Sequence, residues 1–284
     1  MSHLSCKPIV ACIWLTSLTI PFVAYAAPDL KSEMRLQISR YQNGASAAAL
    51  GAPSASKLIA DSSAKFSALL DAAAHGGQLG TCTIARPAQA TQEKLERLGQ
   101  AWAVFQRAGS AIVQNQAGMQ SVANAVETIN QTEPDVLESA LVVASLSSTR
   151  DTAPQNIHAA SMLAFRLERF VKSANRLLLE PTANPIEAFL VQKESQTLST
   201  SITDLVEGSA SSKIVKSKSD VQSQLHVLAK KIQRDMDAAA LINSNLQALA
   251  LTKQSIAYVN DHGEELYSKI QELGEDLAQA STCR

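Results

Sequence analysis

The stretch from 221 to 277, VQSQLHVLAKKIQRDMDAAALINSNLQALALTKQSIAYVNDHGEELYSKIQELGEDL, decides the fold of this 284-residue chain. Its apolar residues recur three or four positions apart, which is the period of a helix with one buried face. They are Val221, Leu225, Leu228, Ile232, Met236, Ala239, Ile242, Leu246, Leu249, Ile256, Val259, Leu266, Ile270, Leu273 and Leu277. Ser219 and Gln222 offer a capping box at the start. We predict one helix of about 60 residues, about 90 Å long, with a bend at Gly263.

The rest of the chain shows the same helical period, and alternation of period two is nowhere sustained. Aromatic residues make up only 4% of the chain, and glycine and proline are few. We therefore predict an all-α fold, an elongated helical bundle. A long helix is predicted from Thr91 to Asn130, followed by a separate short helix that Thr132 and Asp135 cap and that ends near Ser147.

Two segments about 130 residues apart share a pattern of serine, apolar residues and a terminal glycine. They are SAKFSALLDAAAHG (63–76) and SQTLSTSITDLVEG (195–208). Each follows a helix that contains an arginine, Arg40 or Arg166, and each precedes a loop and a longer helix. This order predicts two similar helical modules in tandem, 27–150 and 151–284.

The first 26 residues have the layout of a secretory signal peptide. Lys7 precedes an apolar run, 8–23, and Ala24-Tyr25-Ala26 is a small-x-small signal before Ala27. We predict cleavage after Ala26 and a periplasmic or secreted protein. The alternative is an uncleaved inner-membrane anchor, because about 20 mostly apolar residues are enough to span a bilayer.

Cys82 and Cys283 are the cysteines that remain once the signal peptide is removed. An even pair in an exported chain predicts a disulfide, which would close a loop of about 200 residues. Two free thiols are the alternative. Two lone cysteines do not make a metal site.

Motifs of the common catalytic and cofactor sites are missing from the sequence. It contains no G-x-S-x-G, HExxH, CxxC, phosphate-binding loop or dinucleotide fingerprint, and its histidines stand singly. The net charge is −1, which gives no indication of a surface for nucleic acid. We expect a non-enzymatic protein with no catalytic residues, no cofactor and no metal.

Two arginines, Arg35 and Arg40, stand five positions apart in an otherwise bland Ala/Ser-rich helix. That spacing places them about 140° apart around the helix, so one is expected in solvent while the other points inward. An inward guanidinium needs a carboxylate or an anionic ligand. Either Arg35 pairs with Glu33 or with a neighbouring helix, or one arginine binds an anionic group, for example across a dimer seam.

The segment RLQISR (35–40) followed by an Ala-rich helix resembles the N-terminal module of type IV pilus methyl-accepting chemotaxis transducers (PilJ) and of the related nitrate-sensor kinases. MLAFRL (162–167) with SANRLLL (173–179) resembles the second PilJ module, and 221–273 resembles its final helix. The likeness covers nearly all of the chain after the signal peptide. The second module keeps Arg166 but has Ser161 in place of the first arginine.

The resemblance implies a periplasmic helical sensor bundle, usually dimeric. In the nitrate sensors the first arginine of the motif binds the anion at the dimer interface. That position is Arg35 here, and Arg40 matches the second arginine. The expected function is an exported PilJ-like binding domain without its own transmembrane output, and its expected partner is a small anionic ligand or a pilus or chemoreceptor protein. The alternative is a structural or assembly protein that docks an envelope or pilus component through amphipathic helices.

Overall fold

The computed structural model describes residues 29–79, 82–151 and 153–283, so the predicted signal peptide lies outside the described residues. The all-α prediction is confirmed. Within the described ranges the helices are α1 Leu30–Ala49, α2 Ala55–His75, α3 Gln89–Arg150, α4 Pro154–Leu179, α5 Pro185–Glu207, α6 Ser219–Ser244, α7 Leu246–Glu272 and α8 Gly274–Ala280. None of these helices has the length and apolar character needed to cross a membrane.

Three short strands form a small antiparallel sheet that the sequence did not predict. They are β1 Gly77–Leu79, β2 Cys82–Ile84 and β3 Ser281–Cys283, in the order β1-β2-β3. Each strand has three residues, which is too short for an alternating pattern to be recognised in the sequence.

Local side chains fix where several helices begin. The Asp29 carboxylate accepts a hydrogen bond of 2.6 Å from the Ser32 backbone amide at the start of α1. Asn184 does the same for α5, accepting from the Ile186 amide at 2.9 Å. Pro154 occupies the first turn of α4, where its missing N–H leaves no helical hydrogen bond unmade.

The predicted break after Asn130 is wrong, because α3 is one helix of 62 residues that continues through Pro134. Its length is about 93 Å at 1.5 Å per residue. The Thr132 hydroxyl donates within its own helix or to Asp235 on α6 and does not cap a new helix. The buried stripe also continues past the proline through Val136, so tertiary packing outweighs the lost hydrogen bond.

The predicted long C-terminal helix is interrupted, although not at Gly263. Helices α6 and α7 meet at Asn245, and α8 begins after Leu273. Gly263 lies inside α7, where a Cβ would come within 2.0 Å of the Gln42 Nε2 atom on α1. This glycine therefore allows close packing of two helices and does not mark a bend.

Two hydrophobic cores lie along α3. One is built from α1, α2, the first part of α3, α7 and α8, and includes Phe66 and Trp102. The other is built from the second part of α3 with α4, α5 and α6, and includes Phe170. Two separate modules, 27–150 and 151–284, are therefore not confirmed, because each core contains helices from both halves of the chain.

The burial pattern nevertheless repeats along the chain. Every buried residue of α1 has a buried counterpart 126 positions later in α4. All but one of the buried residues of α2 have one 132 positions later in α5, and most of those of α3 have one 130 positions later in α6 to α8. We call α1–α3 the first repeat and α4–α8 the second repeat. The C-terminal half of α3, from the first repeat, lies in the core that contains α4 and α5. Helix α7, from the second repeat, lies in the core that contains α1 and α2.

Candidate functional site

Helix α1 presents both predicted arginines to solvent. Its buried stripe, which includes Met34, Ile38 and Tyr41, packs towards α2, α3 and α7. Arg35 and Arg40 lie outside this stripe, and both are exposed. The expectation that one of them points inward is therefore not met, since the 140° between them still leaves both on the wide solvent-facing side.

Arg35 is held against α7 by an aromatic ring. Its guanidinium carbon lies 5.5 Å from the centre of the Tyr267 ring, within the range of a cation–π interaction. The Tyr267 hydroxyl donates a hydrogen bond of 3.4 Å to Gln42 Oε1, and burial raises the pKa of Tyr267. Glu33 accepts a 2.6 Å hydrogen bond from the Gln37 amide. Of the two partners expected for Arg35, Glu33 forms no ion pair with it, whereas the neighbouring helix α7 contacts it through the Tyr267 ring.

Arg40 is an exposed cation without a carboxylate partner in the part of the chain that the structure describes. Its counterpart in the second repeat, 126 positions later, is Arg166. Position 161, the counterpart of Arg35, is a serine. The first repeat thus carries two arginines where the second carries one.

The second repeat neutralises its arginine internally. Arg166 Nη1 lies 3.3 Å from Glu194 Oε2, and Arg169 Nη2 lies 3.1 Å from Glu194 Oε1. Glu194 belongs to α5 and is fully buried, whereas the two arginines are partly exposed. A buried carboxylate between two guanidinium groups is the arrangement that makes such burial tolerable.

A groove of about 460 Å³ lies beside Arg166 between α4, α5 and the loop that follows α5. Its wall includes His158, Asp204 and Ser212. The Ser212 hydroxyl donates to Asp204 Oδ2 at 2.8 Å, and in the described ranges no hydrogen bond joins His158 to either residue. The three side chains therefore do not have the geometry of a catalytic triad.

Two fully enclosed charged residues were missed at the sequence level. Asp235, on α6, is completely buried; its Oδ1 accepts from the Thr132 hydroxyl and its Oδ2 has no hydrogen-bond partner. The pKa of Asp235 is raised to about 6, mainly by burial; the hydrogen bond from Thr132 opposes this rise and the charge of Glu133 adds to it. A sequence signal did exist, because Asp235 falls on the apolar stripe one turn after Ile232.

Lys253, on α7, is 3% exposed and closes the end of α4. Its ammonium group donates to the backbone oxygen of Leu178 at 3.0 Å and to that of Glu180. A cation at this position satisfies carbonyls that have no partner within the helix and interacts favourably with the helix dipole. Burial lowers the pKa of Lys253. Its role is to join α7 to the end of the α4–α5 hairpin.

The backbone brings the two predicted disulfide cysteines opposite each other. In the antiparallel pairing of β2 with β3, Cys82 is the partner of Cys283. Residues paired in this way have Cβ atoms about 4.5–5.5 Å apart in a typical antiparallel sheet. No group of three or more histidine, cysteine or acidic side chains that could hold a metal occurs in the described ranges.

Comparison with family models and with curated proteins finds no match to this chain. The resemblance to the pilus transducer family therefore depends on the quoted motifs alone.

Proposed function

We propose that this chain is an exported, non-enzymatic binding domain of the PilJ-like sensor type, which captures a small anion or a protein partner and presents it to a membrane protein. The periplasm is the proposed compartment. The observation that carries the proposal is the pair of exposed arginines on α1, neither of which has a carboxylate partner in the described ranges. In the second repeat the equivalent arginine, Arg166, already forms an ion pair with Glu194.

The burial of the long C-terminal stripe supports a sensor bundle over a docking surface. Along 221–277 the predicted apolar positions are buried, apart from Met236 and Leu246, which are half-buried. A protein that docked its partner through this stripe would need to keep it exposed. The free surface of α1 is the better candidate for the contact with a ligand or with a second copy of the chain.

The test is anion-dependent thermal stabilisation of the purified chain at constant ionic strength. We expect stabilisation that Arg35→Ala and Arg40→Ala each reduce without loss of helicity, because a ligand stabilises only the state that binds it. Arg107→Ala is the matched control, since Arg107 is an exposed arginine on α3 and not on α1. Equal stabilisation in wild type and both α1 variants would contradict the proposal.

A structural or assembly role is the second candidate, and one surface feature favours it. Leu179, Ile186 and Phe189 are 59–65% exposed around the turn between α4 and α5. Exposed apolar side chains that are close together are typical of protein contacts. The double variant Leu179→Ser with Phe189→Ser should then abolish binding to an envelope partner while anion stabilisation remains unchanged.

A further inference from the structure

The two hairpins, α1–α2 and α4–α5, bury their side chains in the same register, so positions can be compared one by one. In α1 and α4 the counterparts lie 126 positions apart, which matches Arg40 to Arg166 and Asn43 to Arg169. In α2 and α5 they lie 132 apart, which matches Ser62 to Glu194.

The second hairpin contains its own carboxylate at this place. Glu194 projects from α5, and each of its oxygens faces an arginine of α4, at 3.3 Å from Arg166 and 3.1 Å from Arg169. The side chain of Glu194 is 1% exposed, so the carboxylate is held between the helices and not in solvent. In this hairpin, a carboxylate between the two helices is therefore bound by arginines of the first helix.

The first hairpin keeps a cation there but lacks the carboxylate. Ser62 is 1% exposed, so its short side chain occupies the same enclosed position as Glu194. A serine side chain has three heavy atoms fewer than glutamate, which is the size of the carboxylate group. Arg40 and Asn43 remain on α1 with donor groups and are both exposed. By the register of the two hairpins, Arg40 corresponds to an arginine that pairs with Glu194, while the position that corresponds to Glu194 carries no carboxylate.

We infer that the first repeat binds a small carboxylate between α1 and α2, with Arg40 and Asn43 as donors and the anion in the place that Glu194 takes in the second repeat. This inference rests on the proposed function and deepens it, because it names the ligand class and assigns the contact to Arg40, one of the two arginines of α1. Binding of this kind uses charge-assisted hydrogen bonds from a guanidinium, for which carboxylates are the best-matched acceptors.

Two reciprocal substitutions test the inference with formate and acetate as probes, against chloride at equal ionic strength. Ser62→Glu supplies the missing carboxylate, so it should remove acetate binding and raise the melting temperature without ligand. Glu194→Ser removes the internal carboxylate, so it should add a second acetate site at Arg166 and Arg169. Titration calorimetry should give one site in wild type, none in Ser62→Glu and two in Glu194→Ser.

Arg40→Gln keeps the inference testable if Ser62→Glu does not fold, because Arg40 is exposed and its loss does not disturb a core. We expect its Kd for acetate to rise about tenfold or more, the size of one lost charge-assisted hydrogen bond. Arg107→Gln serves as the exposed-arginine control and should bind like wild type.

The outcomes separate this inference from the proposed function. If Arg35→Ala abolishes anion binding while Arg40→Gln and Ser62→Glu bind like wild type, the carboxylate site is refuted and the sensor proposal stands. If Glu194→Ser gains acetate binding but wild type binds none, the internal comparison is valid and the first site is refuted. If wild type binds no anion of any kind, this inference fails together with the anion-binding part of the proposed function.

Discussion

Replacing Asp235 by asparagine is expected to stabilise the protein at neutral pH, although it removes a charged residue from the middle of a helix. Asp235 is completely buried, and the Thr132 hydroxyl is its hydrogen-bond donor. Among the residues that the structure describes, no cation pairs with Asp235. Its second oxygen has no hydrogen-bond partner in the described structure. Asparagine keeps an acceptor for Thr132 and cannot ionise.

The magnitude follows from the pKa of Asp235, which burial raises from 3.8 to about 6. This difference corresponds to about 3 kcal/mol at about 1.36 kcal/mol per pKa unit. Because the folded-state pKa lies above the unfolded one, the contribution to stability is fully present below pH 3.8 and is lost as the pH rises through 6. The unpaired amide N–H of asparagine costs about 1 kcal/mol, which leaves a net gain of about 2 kcal/mol above pH 6.

The assay is urea denaturation of wild type and Asp235→Asn at several values between pH 4 and pH 8. The difference in unfolding free energy should be near zero or slightly negative at the acid end, grow through the range in which Asp235 ionises, and then stay constant. Asp237→Asn is the matched control, because Asp237 is exposed on the same helix. A variant that is less stable than wild type at pH 8, or a difference that does not change with pH, would refute the reasoning.

Three further substitutions test contacts that join separate parts of the fold. Cys82→Ser should lower the free energy of unfolding by up to about 5 kcal/mol if the bridge to Cys283 forms, as measured by urea denaturation without reductant. Lys253→Ala should cost about 3–5 kcal/mol in the same assay, because two backbone oxygens lose a charged donor. Gly109→Ala should cost about 3 kcal/mol or more, since a Cβ would lie 1.6 Å from the Tyr41 hydroxyl oxygen, and the near-ultraviolet circular dichroism of Tyr41 should change.

Matched controls exist for each of these variants. Reductant should destabilise wild type and leave Cys82→Ser unchanged; equal behaviour of the two would mean that no bridge forms. Lys230→Ala removes an exposed lysine of α6 and should cost less than about 0.5 kcal/mol. Gly99→Ala meets only Leu70 Cδ2, at 3.7 Å, and should be neutral or stabilising. Similar losses in the paired variants would contradict the assigned contacts.

Helical periodicity predicts the architecture well because apolar stripes determine which face of each helix is buried. The errors come from single residues whose local preference the packing overrides. Pro134 disfavours a helix locally, yet the buried stripe on both sides keeps α3 continuous. Gly263 suggested a bend, yet its missing Cβ makes room for Gln42 on another helix, which lies more than 200 positions away in the sequence.

The candidate site was predicted only in part, since a helix position does not reveal its partner. Arg35 and Arg40 stood out as charges in a bland helix, but the ring of Tyr267 beside Arg35 comes from the far end of the chain. The importance of Ser62 was not visible at all. It emerges only when the burial registers of α2 and α5 are aligned and Glu194 is found at the equivalent place.

Each core contains helices from both repeats, and this has a consequence for how the protein unfolds. Helix α3 contributes side chains to both cores. Loss of packing in one core therefore also removes support for the part of α3 that lies in the other core. Heating should therefore give a single calorimetric peak whose van't Hoff enthalpy equals the calorimetric one, as for one cooperative body. The two hydrophobic cores are therefore expected to melt at the same temperature.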